Sequence, residues 1–373
     1  MQKKLLAVAV AGALAAPVAA MAQSSVTISG VFKVGVDQYK VSNPGAARTG
    51  LNTSEIRVTD NSSRIIFGMT EDIGGGTAGI AQIDMRAGLD TGTLTAAGNT
   101  WVGLRGSSWG SLTLGRHDLH YGKQPDDIAA KAGALMAAAV SIMDFTANGQ
   151  AIAGATRTPN VIRYDSPNWS GFAFTAAYST TGGTVQNEAD LTVGIRKGYA
   201  ATINPSYTAG NWAVGYSYWK QNGDGGGVGA NQTSNVLYGY WRGGGFKVGA
   251  AVNQSKTSDV AAVGGAETAS SDRKNYTIPV SWTSGSHNVY FHYTKAGKDK
   301  VIGDGSDAKM YALAYVYDLS KRTSVGVTYA KLDNNTASRY NFFTNTGSLG
   351  STNAALTAGE DGTLIQGTIR HAF

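Results

Sequence analysis

Five histidines, His117, His120, His287, His292 and His371, are the residues of this chain with the widest chemical range. Hydrolysis would need one of them positioned beside a Ser or Asp nucleophile, and none lies in a nucleophile motif. His117 and His120, three residues apart, supply two of the ligands a metal would want, with no third in the pattern. The glycine-rich run GDGGGVGAN, Gly223 to Asn231, resembles a phosphate-binding loop in composition but lacks the Gly-Lys-Ser/Thr ending and the helix that should follow. No catalytic centre, cofactor or metal site is expected, and the chain is read as not an enzyme. What remains is a set of charged side chains in segments of alternating polarity.

In the segment from Ser24 onward, Val26, Ile28, Phe32, Val34 and Val36 alternate with Thr27, Ser29, Lys33 and Asp37. A strand puts successive side chains on opposite faces, so Lys33 and Asp37 share one face and the aliphatic residues the other. The same parity argument places Arg64 and Asp72 opposite Ile65, Phe67 and Met69, and Gln82, Asp84 and Arg86 opposite Ala81, Ile83 and Met85. Arg105 lies opposite Val102 and Leu104, and Arg163 opposite Ile162. Arg116 has the parity of Leu112 and Leu114, so it must sit beyond the apolar band or past a bulge to reach water. If the apolar face meets lipid, an Arg or Lys turned outward at mid-bilayer would cost about 2 to 4 kcal/mol, which fixes these charges inward.

The elements that carry these residues read as strands throughout. Fifty glycines, eighteen tyrosines and 15% charged residues describe an all-β chain with tight turns. Residues 1 to 22 combine Lys3 and Lys4, an apolar run from Leu5 to Ala16 and the small-residue exit Ala20-Met21-Ala22, the pattern of a secretory signal cleaved before Gln23. Its removal takes two lysines and lowers the formal charge from +6 to +4, too small to suggest nucleic acid as a partner. Nothing downstream is long and apolar enough for a spanning helix. With no cysteine, a disulfide framework is excluded. An exported chain of alternating strands ending on Phe373 predicts a closed transmembrane barrel over residues 23 to 373, with lipid outside and water inside.

Seven short turns are expected at Ile73 to Gly76, Ser107 to Gly110, Pro167 to Ser170, Gly210-Asn211, Gly243 to Gly245, Ser284 to Ser286 and Asp318 to Lys321. They join fourteen strands, and the first and last bring the total to sixteen. Eight longer loops alternate with them, near 41–62, 88–98, 117–159, 180–196, 221–233, 256–272, 297–308 and 333–361. Aromatics near strand ends (Trp212, Tyr216, Tyr218, Trp219, Tyr238, Tyr240, Trp241, Tyr311, Tyr315, Tyr317) suggest interfacial girdles. The third loop, 117–159, is about twice the length of most others. It carries an apolar stretch from Ile128 to Val140 bracketed by Asp126, Asp127 and Asp144. Left in water it would bare Leu135, Met136, Ile142, Met143 and Phe145, so it is expected to fold into the lumen.

The runs WVGLRGSSWGSLTLGR (Trp101 to Arg116) and RTPNVIRYDSPNWSGFAFTAAYS (Arg157 to Ser179), with the leader and the terminal Phe373, make the chain similar to the general diffusion porins of Gram-negative outer membranes, especially the β-proteobacterial type. The resemblance implies a sixteen-stranded antiparallel barrel with a pore-constricting third loop, assembled as a homotrimer among outer-membrane lipid and lipopolysaccharide. It also implies that Phe373 is read by the barrel-assembly machinery. Matching motifs place Arg105, Arg116 and Arg157 among the wall cations that face acids on the loop. Two features depart from the family pattern. Gly98 and Asn99 stand where an arginine usually precedes WVGL, and the loop lacks the Pro-Glu-Phe-Gly-Gly motif.

The function so implied is passive diffusion of ions and small hydrophilic solutes through a water-filled channel. Wall cations Lys33, Arg64, Arg86, Arg105, Arg116, Arg157 and Arg163 outnumber the acids Asp37, Asp84, Asp126, Asp127 and Asp144, so a weak to moderate preference for anions is expected. The alternatives are a substrate-specific outer-membrane channel and, from other classes, an adhesin or an enzyme carried on a barrel.

Overall fold

A computed structural model describes residues 24–50, 52–147, 156–180, 198–223, 227–261, 265–342 and 356–373. The expected leader, residues 1 to 22, lies outside them, as does nearly all of the fourth loop. In chain order the strand segments are β1 (Ser25–Ser42), β2 (Ser54–Asp60), β3 (Ser63–Gly74), β4 (Thr77–Gly88), β5 (Thr93–Thr95), β6 (Thr100–Gly106), β7 (Gly110–His117), β8 (Thr158–Asp165) and β9 (Phe172–Ser179). They continue with β10 (Tyr199–Ala209), β11 (Trp212–Asn222), β12 (Gly227–Gly243), β13 (Phe246–Val260), β14 (Glu267–Ser284), β15 (His287–Ala296), β16 (Ala308–Asp318), β17 (Thr323–Asn334) and β18 (Asp361–Ala372). All pair antiparallel in a single sheet. β2 with β3, and β5 with β6, are the two halves of interrupted strands, so the segments form the expected sixteen-stranded wall. The first interruption, at Asn61 and Ser62, has a cause: the Asp60 carboxylate accepts the Ser62 and Ser63 amides, and Ser62 has φ +68°.

The ring closes where β1 pairs with β18 from Val31↔Ala372 to Ser42↔Asp361. Gly30 and Phe373 exchange both backbone hydrogen bonds at 3.1 Å, and the Phe373 ring meets Phe32 edge-on at 5.1 Å. Closure leaves no lateral edge in the hydrocarbon layer, where an unpaired amide would cost several kcal/mol. Gly30 makes the joint possible, because a Cβ there would lie 2.6 Å from Phe373 Cζ.

The two faces follow the alternation. In β16, Leu313, Tyr315 and Tyr317 point outward while Met310, Ala312, Ala314 and Val316 are buried inside. Outward aromatics pair across neighbouring strands near both ends: Trp212 with Trp241 and Phe246 with Trp282 beside the short turns, and Tyr276 with Tyr293 and Tyr311 with Tyr329 toward the long loops. Three residues placed in the girdles from sequence belong inside. Trp219 is fully buried, Tyr238 packs against the third loop, and Tyr240 lies under Lys247. Each shares the parity of inward neighbours.

All seven short turns fall where the sequence puts them. The long loops are shorter than expected in four places, since β2 and β5 lie inside the first and second, and β12, β13 and β14 extend into the regions 221–233 and 256–272. Apolar residues are sparse there, such as Ile56 and Val58 of β2 and Leu94 of β5, and polar residues dominate, which is why those segments read as loop. Over the mouth, Arg48 of the first loop makes a bidentate pair with Glu360 just before β18, at 2.7 and 2.8 Å, and both side chains are buried. Glu360 also accepts the amides of Thr357 and Gly45. Burial alone would raise its carboxyl, but these bonds win and hold it at about 2.

Two outcomes follow from these contacts. Gly30→Val should displace the terminal ring and sharply reduce the fraction reaching the compact, heat-modifiable barrel on gel electrophoresis, whereas Gly367→Ala, with open space around it, should not. The Glu360 clasp stabilises above its ordinary carboxyl range near 4.5 and is lost as pH falls toward 2. Hydrogen exchange at the Gly45 and Thr357 amides, corrected for intrinsic rates, should therefore be flat from pH 7 to 5 and accelerate below about 4.

Candidate pore constriction

The third loop leaves β7 at His117 and turns into the barrel. Small residues let it lie close to the wall, in short turns at Ile128–Ala132, Leu135–Ala137 and Val140–Met143. Its apolar face (Ile128, Ala132, Met136, Ile142) packs against Met310, Ala312, Ala330, Leu332 and Leu364 of the inner wall. That burial supplies the cohesion, at roughly 25 cal/mol per Å² of apolar surface removed from water.

Polar contacts fix the loop's path. The outgoing limb is held by His120, whose ring nitrogens meet Ser217 Oγ at 2.7 Å and Ser234 Oγ at 2.8 Å. Burial lowers this imidazole to about 3, so it is neutral through the physiological range. Asp127 then pairs with Lys247 of β13 at 2.8 Å. Across the lumen, Lys33 Nζ donates to the Ala129 carbonyl at 3.2 Å and Thr368 Oγ1 to the Ala132 carbonyl at 2.8 Å. The returning limb is held by His292, which meets the Ala137 carbonyl at 2.7 Å. Arg273 finishes the anchorage, donating to the Ile142 and Met143 carbonyls at 2.9 and 3.0 Å and to Tyr340.

The three loop acids have distinct surroundings. Asp126 accepts the Ile128 amide at 3.0 Å and the Ala139 amide at 2.8 Å, stapling the two limbs of the loop together. Asp127 bonds the wall. Asp144 is buried and accepts the Gly122 amide at 3.1 Å, and burial raises its carboxyl to about 6 against the pull of that amide and Arg273.

The wall cations divide by height. Arg64 on β3 and Arg86 on β4 stand directly opposite in register and share one buried carboxylate, Asp84, at 3.6 and 3.3 Å. Lys33 and Arg370 form the next cross-strand pair, at the joint between β1 and β18. Lys33 is buried beneath the loop, while Arg64, Arg86 and Arg370 are partly exposed. Arg157, with φ +48°, sits at the loop's return, its amide donating to Asp118 at 2.7 Å. Asp118 also accepts from Thr156 and Asn99, and these bonds outweigh burial to lower its carboxyl. Asn99 thus does a local job at the place where the family pattern has an arginine. Arg163 makes a bidentate pair with Asp165 at 2.8 Å and reaches the Asp118 carbonyl at 3.3 Å. Arg116 is half-buried beside a register irregularity between Gly115 and His117. Arg105 is exposed at the short-turn mouth, in a cleft shared with Asp72 and Asp165, away from the loop.

Arg370, Arg273 and Lys247 were not singled out from sequence. Arg370 was within reach, because it shares the parity of Gln366 and Thr368. Among the described residues no group of three His, Cys, Asp or Glu could hold a metal, and His117 stacks on Trp101 instead. Replacing Arg273 by Met should cost on the order of 3 kcal/mol, two charge-assisted bonds at about 1.5 kcal/mol each, and free the returning limb. Single-channel records of Arg273→Met should then show larger, noisier conductance, with the barrel fraction on gels unchanged.

A model of the Gram-negative porin family matches residues 7–337. Outer membrane porin protein 32 of Delftia acidovorans is 27% identical over 376 residues, covering all of both chains. An outer membrane porin protein of Bordetella pertussis is 26% identical over 89% of this chain and 94% of its own. Among solved structures, an anion-selective porin from Comamonas acidovorans superposes with a TM-score of 0.73 at 24% identity, covering 94% of this chain and all of its own. The trimer form of Vibrio cholerae OmpT gives 0.61 at 13% identity. With the family pattern running through most of the barrel, the chain belongs to the Gram-negative porins and resides in the outer membrane as a diffusion channel.

Proposed function

We propose that this channel passes small hydrophilic solutes with a modest preference for anions, and that the preference is set by cations on one wall of the constriction. The observation that carries this reading is the row Arg370, Lys33, Arg64 and Arg86 across adjacent strands, with Asp84 serving two of the guanidinium groups. Arg116, Arg157 and Arg163 extend the basic wall, while Arg105 acts at the periplasmic exit. Asp126, Asp127 and Asp144 shape the opposing loop, and their charge is largely committed to holding it. The excess charge facing water is therefore positive.

No bond is made or broken during transport. An anion in the constriction exchanges part of its hydration shell for guanidinium groups and passes on, because each attraction is weak. At about 8 Å, two unit charges interact by roughly 0.5 kcal/mol in bulk-like water and roughly 2 kcal/mol at an effective dielectric near 20. Selectivity of that size is graded. Homotrimeric assembly is supported by a relative solved in a trimer form. Export by cleavage after Ala22 and recognition of the Phe373 terminus by the assembly machinery complete the proposal.

Reversal potentials of the purified mature protein across a salt gradient test the central point. The wild type should favour chloride over potassium, and Arg64→Gln/Arg86→Gln should bring the permeability ratio close to one at similar conductance. A wild-type pore that favours potassium would reject the anion preference.

A further inference from the structure

Between β17 and β18 the eighth loop crosses the long-loop end of the barrel, and its first stretch, 335–342, does not stay at the rim. It begins there: the Asn335 and Ala337 amides donate to the Asp307 and Gly305 carbonyls at 3.1 and 2.8 Å, and Asn335 and Thr336 remain exposed. Asn334, the last residue of β17, then turns the chain inward. Its carboxamide accepts the Tyr340 amide and donates to the Tyr340 carbonyl, both at 2.9 Å, so the side chain pairs with Tyr340 as a neighbouring strand would. Tyr340 and Phe342 are thereby carried into the barrel and fully buried. Ordering a surface loop costs conformational entropy, which two buried aromatic rings offset only if they find a packed partner. They find it in the apolar cluster that holds the third loop, with Met136, Ile142 and Ala147 on one side and Tyr39, Leu332 and Leu364 on the other. Phe342 meets the Tyr39 ring edge-on at 5.9 Å.

Two polar contacts join this stretch to the returning limb of the third loop. The Arg339 amide donates to the Ala147 carbonyl at 2.9 Å. Arg273 Nη1 donates both to the Ile142 carbonyl at 2.9 Å and to the Tyr340 hydroxyl at 3.1 Å, with its guanidinium carbon 5.4 Å from the centre of the Tyr340 ring. Arg273 is itself fully buried, and a buried guanidinium holds its place only while its donors are matched. Tyr340 supplies one of those matches and covers one face of the group. The path from exposed Thr336 to the backbone of the constricting loop therefore runs through one tyrosine and one arginine.

We infer that Tyr340 is a positioning residue for the constriction, and that the rim stretch 335–339 and the returning limb of the third loop move as one unit. This rests on the third loop being the narrow part of the channel, as in the function proposed above. Tyr340 touches no solute and acts through Arg273, which sets where the Ile142 and Met143 carbonyls lie. A displacement at the outer rim is therefore felt where solutes pass.

Tyr340→Phe keeps the ring and deletes only the hydroxyl, so it tests the connection with the packing in place. In planar bilayers the purified mature variant should show open-channel current noise at least twofold above the wild type, and Arg273→Met/Tyr340→Phe should be no noisier than Arg273→Met alone. Noise at the wild-type level in Tyr340→Phe would overturn the assignment, as would an increment that adds in full to that of Arg273→Met. A second readout does not depend on conduction. The chain has no cysteine, so Ser141→Cys places a single thiol on the buried returning limb. A water-soluble maleimide should label it at least fivefold faster when Tyr340→Phe or Asn334→Ala is added, and equal rates would reject the coupling. Should Arg273→Met fail to fold, the labelling rates in the Tyr340→Phe background decide. A wild-type barrel that passes no current would count against the channel reading, whereas faster labelling in the two variants would still support the link between the loops.

Discussion

Every other feature of this molecule depends on the hydrogen bonds between the first strand and the last. Within hydrocarbon the backbone has no water to turn to, so the sheet must return to its own beginning. β18 pairs over twelve residues with β1, and the terminal Phe373 is held by both backbone bonds to Gly30. Once the ring is shut, each residue belongs to one of two solvents, and the period-two alternation becomes a physical sorting. Valine, leucine and tyrosine outside, and arginine, aspartate and serine inside, follow from the same geometry.

The constriction depends on a second, softer network that the closed wall makes possible. A line of hydrogen bonds crosses five strands on the inner face, from Asn204 through Ser217, His120, Ser234, Asn253 and Asn275 to Arg273. It grips the outgoing limb of the third loop at His120 and the returning limb at Arg273. The loop is therefore fixed at both ends by neutral amides, hydroxyls and one buried guanidinium, while the mobile charges of the wall remain for solutes. Its carboxylates are spent largely on its own backbone. The division of labour explains why, among the described residues, loop acids and wall cations form no direct ion pair apart from Asp127 with Lys247.

The wall was legible because its rule is local. Parity alone puts Lys33, Asp37, Asp84 and Arg86 inside, and glycine or asparagine marks every short turn except Asp318 to Lys321. The loop's inward fold was legible from Leu135 to Phe145, which water would not tolerate. Its anchors were not, because Arg273, His292 and Lys247 lie more than a hundred residues from the loop residues they hold. Nothing near them in sequence announces a partner. Trp219 and Tyr238 misled for a related reason, since an aromatic residue is compatible with a lipid interface and with the packed side of a loop. Height along the barrel was equally hidden. Arg105 and Arg86 look alike in sequence, and only strand register separates the short-turn mouth from the narrow zone.

The inner wall behind the loop has a consequence for biogenesis. From Met310 to Val316, and again at Ala330, Leu332 and Leu364, the side chains turned toward the lumen are as greasy as those turned toward the bilayer. Crossing the periplasm, such a stretch would be sticky on both sides, unlike the amphipathic strands of the amino-terminal half. A segment in the first half of the chain is thus a built-in cover for strands made late. The narrowing of the channel doubles as the lid that keeps its own carboxyl-terminal wall from seeking foreign company.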